Sequence, residues 1–372
     1  MRFFFTVIII LAVFVVGSTQ VVGKIKNVLG YGELEFKKIG DISLKDKNKS
    51  LVHYFEQNFT VYEPSSQTLQ AFGPDGQERW TLKEKIENPI LSSTPTHLYI
   101  GEREKGRILC VDTLGNIDWE IQLERPLRMI RSSAKGYVAV YSEDESGKGM
   151  VFVFDMEKKQ RGKINLNQGT LMDMVLSQET ELLALSVMSI ANDKIESNVT
   201  LYNMEGKLLG GNKYDGDIIS RVYAGSEQRI VNVGDKKVIG FSKEKGLLWN
   251  KDIEDSISRT AWSEEGFIVL GLVNNKKTII DTKNRNQIAI VDLEGKEWCK
   301  LPLKGEVLGV DIKGERVAAF TERTLYLISK DGKEQIERKV NNDIHALYML
   351  GKDQLALIFN DKIEIMGVKF KE

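Results

Sequence analysis

Residues 108–119 read ILCVDTLGNIDW: an alternating apolar strand that ends on Asp112, a turn containing Gly115, and a second strand that reaches Trp119. The same order recurs as 69–80 (LQAFGPDGQERW), 151–162 (VFVFDMEKKQRG), 199–210 (VTLYNMEGKLLG), 238–249 (VIGFSKEKGLLW), 288–298 (IAIVDLEGKEW) and 325–336 (LYLISKDGKEQI). A further copy begins at Ile363 with IEIMGVKF. Starts separated by roughly 37 to 50 residues mark supersecondary units that repeat in a stack or around an axis.

Each copy continues with a third strand and a very apolar fourth. In the second copy these are 127–132 and 137–141, and the fourth strand recurs at 182–187, 228–233, 267–272, 316–320 and 354–359. Four strands per roughly 40 residues, with no helical periodicity of useful length, predict an all-β fold. The reading is an eight-bladed β-propeller of four-stranded antiparallel blades, with seven blades as the alternative. Eight result if 51–62 supplies two inner strands to the blade completed by 69–83. The last blade then lacks its outermost strand, and 34–39 (LEFKKI) is the donor that closes the ring beside the C-terminal strand. Gly76, Gly115, Gly206, Gly295 and Gly332 fall where a tight hairpin needs a residue at positive φ, and Gly246 falls one position later. The third copy has Lys158 and Lys159 there, which predicts a different turn geometry.

The chain begins differently. Residues 3–22 (FFFTVIIILAVFVVGSTQVV) carry no charge, and 20 helical residues match a hydrocarbon layer of roughly 30 Å. The organisation expected is a transmembrane anchor or signal segment at 1–23, a juxtamembrane linker at 24–33 and the propeller over 34–372. An uncleaved single-pass anchor is the preferred reading, with the propeller extracytoplasmic; a signal peptide cleaved near Gly17 and Ser18 is the alternative. Lys24 and Lys26 on the far side weigh against that orientation. Lys plus Arg (52) nearly cancel Asp plus Glu (53), which excludes a nucleic-acid footprint. The partners implied are the membrane and an unknown envelope protein.

Two insertions, 188–197 (MSIANDKIES) and 274–286 (NNKKTIIDTKNRN), fall at corresponding points of their repeats and so project as hairpin loops from one face. Insertions on one face of a repeat protein often carry its binding surface. Ile190, Ile195, Ile279 and Ile280 are their apolar anchors. Trp262, outside the repeated position and followed by a turn-like Ser263-Glu264-Glu265-Gly266, is a further candidate for an exposed surface.

Asp112, Gly115 and Trp119, and less completely Asp292, Gly295 and Trp298, Gly76 with Trp80, and Gly246 with Trp249, resemble the tryptophan-docking repeats of the PQQ-like (quinoprotein alcohol dehydrogenase-like) β-propellers. The resemblance implies membrane-anchored, non-catalytic members with a structural docking role for those ten residues. Large rings at Trp80, Trp119, Trp249 and Trp298 read as wedges between blades.

Enzymatic function is poorly supplied. The resemblance would require a quinone, a bound calcium and a vicinal disulfide, and this chain has only Cys110 and Cys299, far apart. His53, His97 and His345 lie outside metal-ligand spacing of one another, and no GxSxG elbow occurs. No catalytic residue, metal or cofactor is assigned. The expected function is a non-catalytic interaction scaffold in the cell envelope, the alternatives being a channel that binds a small ligand, peptide or glycan, and a degenerate quinoprotein-type oxidoreductase.

Overall fold

The structure, a computed structural model, describes residues 34–370 except 192, 226–228 and 275–284. The expected transmembrane segment and linker, 1–33, lie outside the described residues. Every regular element among the described residues is a β-strand, and the strands form eight antiparallel sheets of four.

Seven blades are continuous in sequence. Blade 1 runs from Leu51 to Lys83, blade 2 from Pro89 to Gln122, blade 3 from Leu127 to Leu166 and blade 4 from Thr170 to Asp215. Blade 5 runs from Ile219 to Asp252, blade 6 from Ser256 to Leu303 and blade 7 from Gly309 to Lys339. Blade 8 takes its three inner strands from Ala346–Gly351, Gln354–Ile358 and Lys362–Phe370, and its outermost strand from Leu34–Ser43 at the other end of the chain. The donated strand runs antiparallel to Lys362–Phe370, from Leu34 opposite Phe370 to Ser43 opposite Lys362. It covers an edge that would otherwise expose unpaired N–H and C=O groups.

Burial explains the hydrophobic code of the repeats. The second strand of a blade is sandwiched by neighbouring blades on both faces, so Val138–Glu143 and Phe267–Val273 are buried almost throughout. The outer strands Glu78–Lys83 and Ile117–Gln122 have one face open, and their burial alternates residue by residue. The core is a series of layers between blades. Phe55, Tyr62 and Leu69 of blade 1 meet Leu98, Ile100 and Leu109 of blade 2. Ile42 of the donated strand packs with Phe59, Val61, Ile358 and Ile363 across the junction between blades 8 and 1.

The turn between third and outer strands is held by its first side chain. Oδ1 of Asp112 accepts the N–H groups of Leu114 and Asn116, both at 2.8 Å, and Oδ1 of Asp292 accepts those of Glu294 (3.0 Å) and Lys296 (2.8 Å). Gly115 and Gly295 follow at φ +89° and +80°. Blade 3 departs from expectation here: its turn has the same geometry without glycine. Lys158 adopts φ +68°, its N–H donates to Asp155 O at 3.1 Å, and Oδ1 of Asp155 accepts Glu157 N and Lys159 N. The aspartate cap holds the left-handed residue in place of the glycine's steric freedom.

Two stability measurements check these points. Ile42→Ala, at a position 3% exposed, should cost about 2–5 kcal/mol in denaturant unfolding. Ile39→Ala on the same strand, 43% exposed, should stay within about 0.5 kcal/mol; equal effects would mean that the donated strand does not close the core. Lys158→Gly should stabilise by about 0.5–1 kcal/mol, because glycine removes the strain of a left-handed lysine. A loss of stability in that variant would contradict the turn assignment.

Candidate functional site

Three features of the ring are candidates: the docking positions at its rim, the belt around its channel, and its two faces. At the rim, one outer-strand residue of each blade faces the turn of the next. Trp80 lies there, its Nε1 donating to Thr113 O at 2.9 Å, and its ring covers Gly115, where a Cβ would come within 2.7 Å. Trp119 donates to Met156 O at 3.0 Å, and Trp249 donates to Leu293 O and covers Gly295. Burial pushes the Asp112 carboxyl up, yet the hydrogen bonds from Asn116 and Leu114 hold it below the usual carboxylate range. Gly76, at φ +79°, instead closes on the backbone of Asp41 in the donated strand, and Gly246 lets its turn enter the outer strand at φ +71°.

Trp298 is displaced from this series. Cys299, not Trp298, pairs with Ile290 as Trp119 pairs with Cys110, and Cys299 faces Gly332 of blade 7. Trp298 occupies the extra residue of the β-bulge, 5.5 Å from the Phe267 ring, with Lys330 over it. The signal was in the spacing, since Trp80, Trp119 and Trp249 stand seven residues after the first residue of their turn (Gly73, Asp112 and Ser242) and Trp298 only six after Asp292. Elsewhere the position is Gly40, Gly162, Gly210 or Ile336, and at Gly40 and Gly162 the next blade's turn approaches too closely for a side chain.

Around the channel, side chains join every pair of neighbouring inner strands. His53 Nε2 meets Ser93 Oγ at 2.9 Å, Ser92 meets Ser132 at 2.8 Å, and Arg131 pairs with Asp173 at 3.0 Å. Asp173 also accepts Val222 N at 3.2 Å, and Tyr223 meets Thr260 at 2.6 Å. Arg259 donates to Leu308 O, Asp311 accepts Met349 N, and the Tyr348 hydroxyl returns to Val52 O at 3.2 Å. Burial pushes the Asp311 carboxyl up and the His53 imidazole down to about 4. Sequence reasoning missed this belt, because its partners lie about one repeat apart and share no residue type.

The candidate surface residues divide between the two faces. The 188–197 insertion is not a loop: it lengthens the second and third strands of blade 4, Leu183–Ala191 and Lys194–Tyr202, into a two-stranded hairpin. Ile190 and Ile195 are direct partners near its tip, 72% and 39% exposed. The other insertion sits between the corresponding strands of blade 6, and Ile279 and Ile280 lie outside the described residues. Trp262 is at the opposite face, at the end of an inner strand. It stacks on Tyr223 with ring centroids 5.9 Å apart and lines a cavity of about 510 Å³ with Leu176, Gln178, Glu179 and Glu264.

The histidines also separate. His345 is exposed. His97 meets residues that spacing along the chain did not connect, its Nε2 lying 2.8 Å from Asp118 Oδ2. The donor atoms of His97, Cys110 and Asp118 all fall within 4.8 Å of one another.

The fold thus defines a WD40-like eight-bladed β-propeller, closed by an N-terminal strand. The chain belongs to the family described as "Family of unknown function (DUF5711)", whose model matches residues 31–368. No curated protein matches it significantly. Among solved structures it is similar to Saccharomyces cerevisiae Sqt1, at 11% identity and a TM-score of 0.65, covering 90% of this chain and 100% of that one. It is similar also to BamB from Moraxella catarrhalis (10% identity, TM-score 0.58, covering 90% and 100%) and to the Neurospora crassa Pan2 WD40 domain (10%, 0.52, covering 91% and 98%). These matches correct the resemblance to PQQ-like propellers: the architecture is WD40-like and not a quinoprotein fold.

The belt yields a pH test. His53 protonates near 6.5 when unfolded and near 4 when folded, so the unfolded chain binds the proton first on acidification. Stability is full above pH 6.5, falls by roughly 2–4 kcal/mol as pH drops towards 4, and is flat in this contribution below it. His53→Gln should remove that part of the pH dependence in melts across the window. An unchanged profile would show that His53 is not held neutral in the fold.

Proposed function

We propose that this propeller is a non-catalytic scaffold for protein–protein interaction, held at a membrane by its N-terminal segment with the ring on the extracytoplasmic side, where its partner is an envelope protein. The observation that carries the reading is the blade 4 hairpin. It stands on a ring closed at every junction and presents the adjacent Ile190 and Ile195 to solvent. Exposed apolar pairs on a rigid support suit a contact of stated geometry, with polar neighbours such as Glu196 and Lys213 at its rim. The uncharged run at 3–22 supports the membrane placement.

A second reading has its own observation. The cavity beneath Trp262, with the Tyr223 stack and the Glu179 and Glu264 carboxylates, fits a small ligand or peptide end on the opposite face.

A double variant, Ile190→Asp with Ile195→Asp, separates the two. It should melt with the wild-type protein and lose at least about tenfold in partner capture from solubilised membranes, since desolvated apolar anchors carry most interface energy. Undiminished capture in that variant, together with loss in Trp262→Ala, would replace the hairpin with the cavity as the functional surface.

A further inference from the structure

We propose that His97, Cys110 and Asp118 of blade 2 form a binding site for a zinc-class divalent cation, with the Tyr99 hydroxyl as its supporting hydrogen-bond donor. The three ligands come from three neighbouring strands: His97 opens His97–Glu102, Cys110 lies in Arg107–Asp112 and Asp118 in Ile117–Gln122. Register explains their convergence. Tyr99 pairs with Cys110 and Cys110 with Trp119, which sets His97, Tyr99 and Cys110 on one face of the blade. Asp118 is the unpaired residue of the bulge between Ile117 and Trp119, and a bulge turns its extra side chain out of strict alternation.

A sulfur, an imidazole nitrogen and a carboxylate oxygen within 4.8 Å of one another form a donor set suited to tetrahedral zinc, with a fourth position left for solvent. The imidazole is already oriented. Thr96 Oγ1 lies 2.9 Å from Nδ1, which leaves Nε2 facing the site, and such a second hydrogen bond is how metal-ligating histidines are usually fixed.

The second observation is Tyr99. Its side chain is fully buried, and its hydroxyl faces Cys110 and Thr94 without a hydrogen bond of good geometry to either. A buried hydroxyl left unpaired costs about 1–3 kcal/mol. Cation binding removes that cost: the Cys110 S–H bond breaks, the proton leaves to solvent, a metal–sulfur bond forms, and the thiolate becomes a strong acceptor for the Tyr99 O–H. The side chains of Asp118 and His97 are 41% and 16% exposed, which gives the ion a way in.

Comparison within the ring shows that the fold does not need this chemistry. The position of Cys110 is Ala71 in blade 1, Val153 in blade 3 and Ile290 in blade 6. The places of His97 and Asp118 in blade 6 are taken by Phe267 and Trp298, which pack against each other. Blade 2 thus has donor atoms where apolar packing alone suffices elsewhere.

The test uses cobalt(II) and zinc(II) with the purified full chain. One equivalent of cobalt should bind with a thiolate-to-cobalt charge-transfer band and the intense visible bands of a tetrahedral ion. Zinc should displace it and raise the melting temperature saturably. Cys110→Ser should lose the charge-transfer band. Because Cys110 is buried, His97→Gln and Asp118→Asn provide independent arms that keep the melting temperature of the metal-free chain and weaken cobalt binding at least about tenfold. Cys299→Ser should leave spectrum and affinity unchanged. Absence of a band at micromolar cobalt, wild-type affinity in both His97→Gln and Asp118→Asn, or loss of the band in Cys299→Ser would each overturn the site.

Discussion

Everything in this ring depends on one pairing, that of Leu34–Ser43 with Lys362–Phe370. Blades pack in a circle, so the last has to meet the first at the same angle as every other pair, and the closing contact joins the two ends of the propeller. Supplying one strand of blade 8 from the beginning of the chain makes closure part of a sheet, where hydrogen bonds fix register, instead of a side-chain contact alone. Ile42 then adds its side chain to the layer between blades 8 and 1, and the Gly40 backbone rests against the turn at Pro74 and Asp75. The inner belt completes the circle at a smaller radius, where Tyr348 reaches Val52.

The repeat period, the strand count and the donated strand were legible because they are backbone properties with a strong sequence signal: alternation of apolar residues, turn residues at fixed offsets, and a last copy too short to fill a blade. Where the reading failed, one physical effect outweighed another. At Lys158 the Asp155 cap compensates for a missing glycine, so identical geometry came without its usual residue. At Trp298 a shift of one residue relative to the turn moved the ring into the bulge and gave its place to Cys299. The 188–197 segment looked like loop, yet its two halves pair residue by residue and so extend the sheet. The family resemblance followed the tryptophans, whereas the overall fold is WD40-like, since a large ring over a turn glycine is a general way to join two blades.

The groups that carry chemistry were the least legible. His97, Cys110 and Asp118 are 13 and 8 residues apart along the chain, spacings that match no helical or loop-borne ligand motif, and only the pairing of three strands makes them neighbours. The channel belt is hidden in the same way. Its members are separated by a whole repeat, and the junctions use several kinds of pair: imidazole with hydroxyl, hydroxyl with hydroxyl, guanidinium with carboxylate, carboxylate with backbone N–H. What the junctions share is a polar side chain on an inner strand that finds its partner in the adjacent blade.

The ring is also uneven, and the unevenness falls where its surface features lie. Blade 2 has a tryptophan on both sides: Trp80 covers its turn and Trp119 leaves it to cover the next. Its neighbours therefore hold it tightly, which suits a site whose three donors have to stay within a bond length or two of their working positions. Blade 4 stands between Gly162 and Gly210. On one side the backbone of Met204 and Glu205 closes directly on Gly162, and on the other nothing lies within 4 Å of the Gly210 Cβ position. The blade with the projecting hairpin thus makes close backbone contact at one rim junction and has free volume at the other. The base of that hairpin is held in the apolar layer shared with blade 3. Met174, Leu183 and Leu185, all fully buried, supply that anchorage.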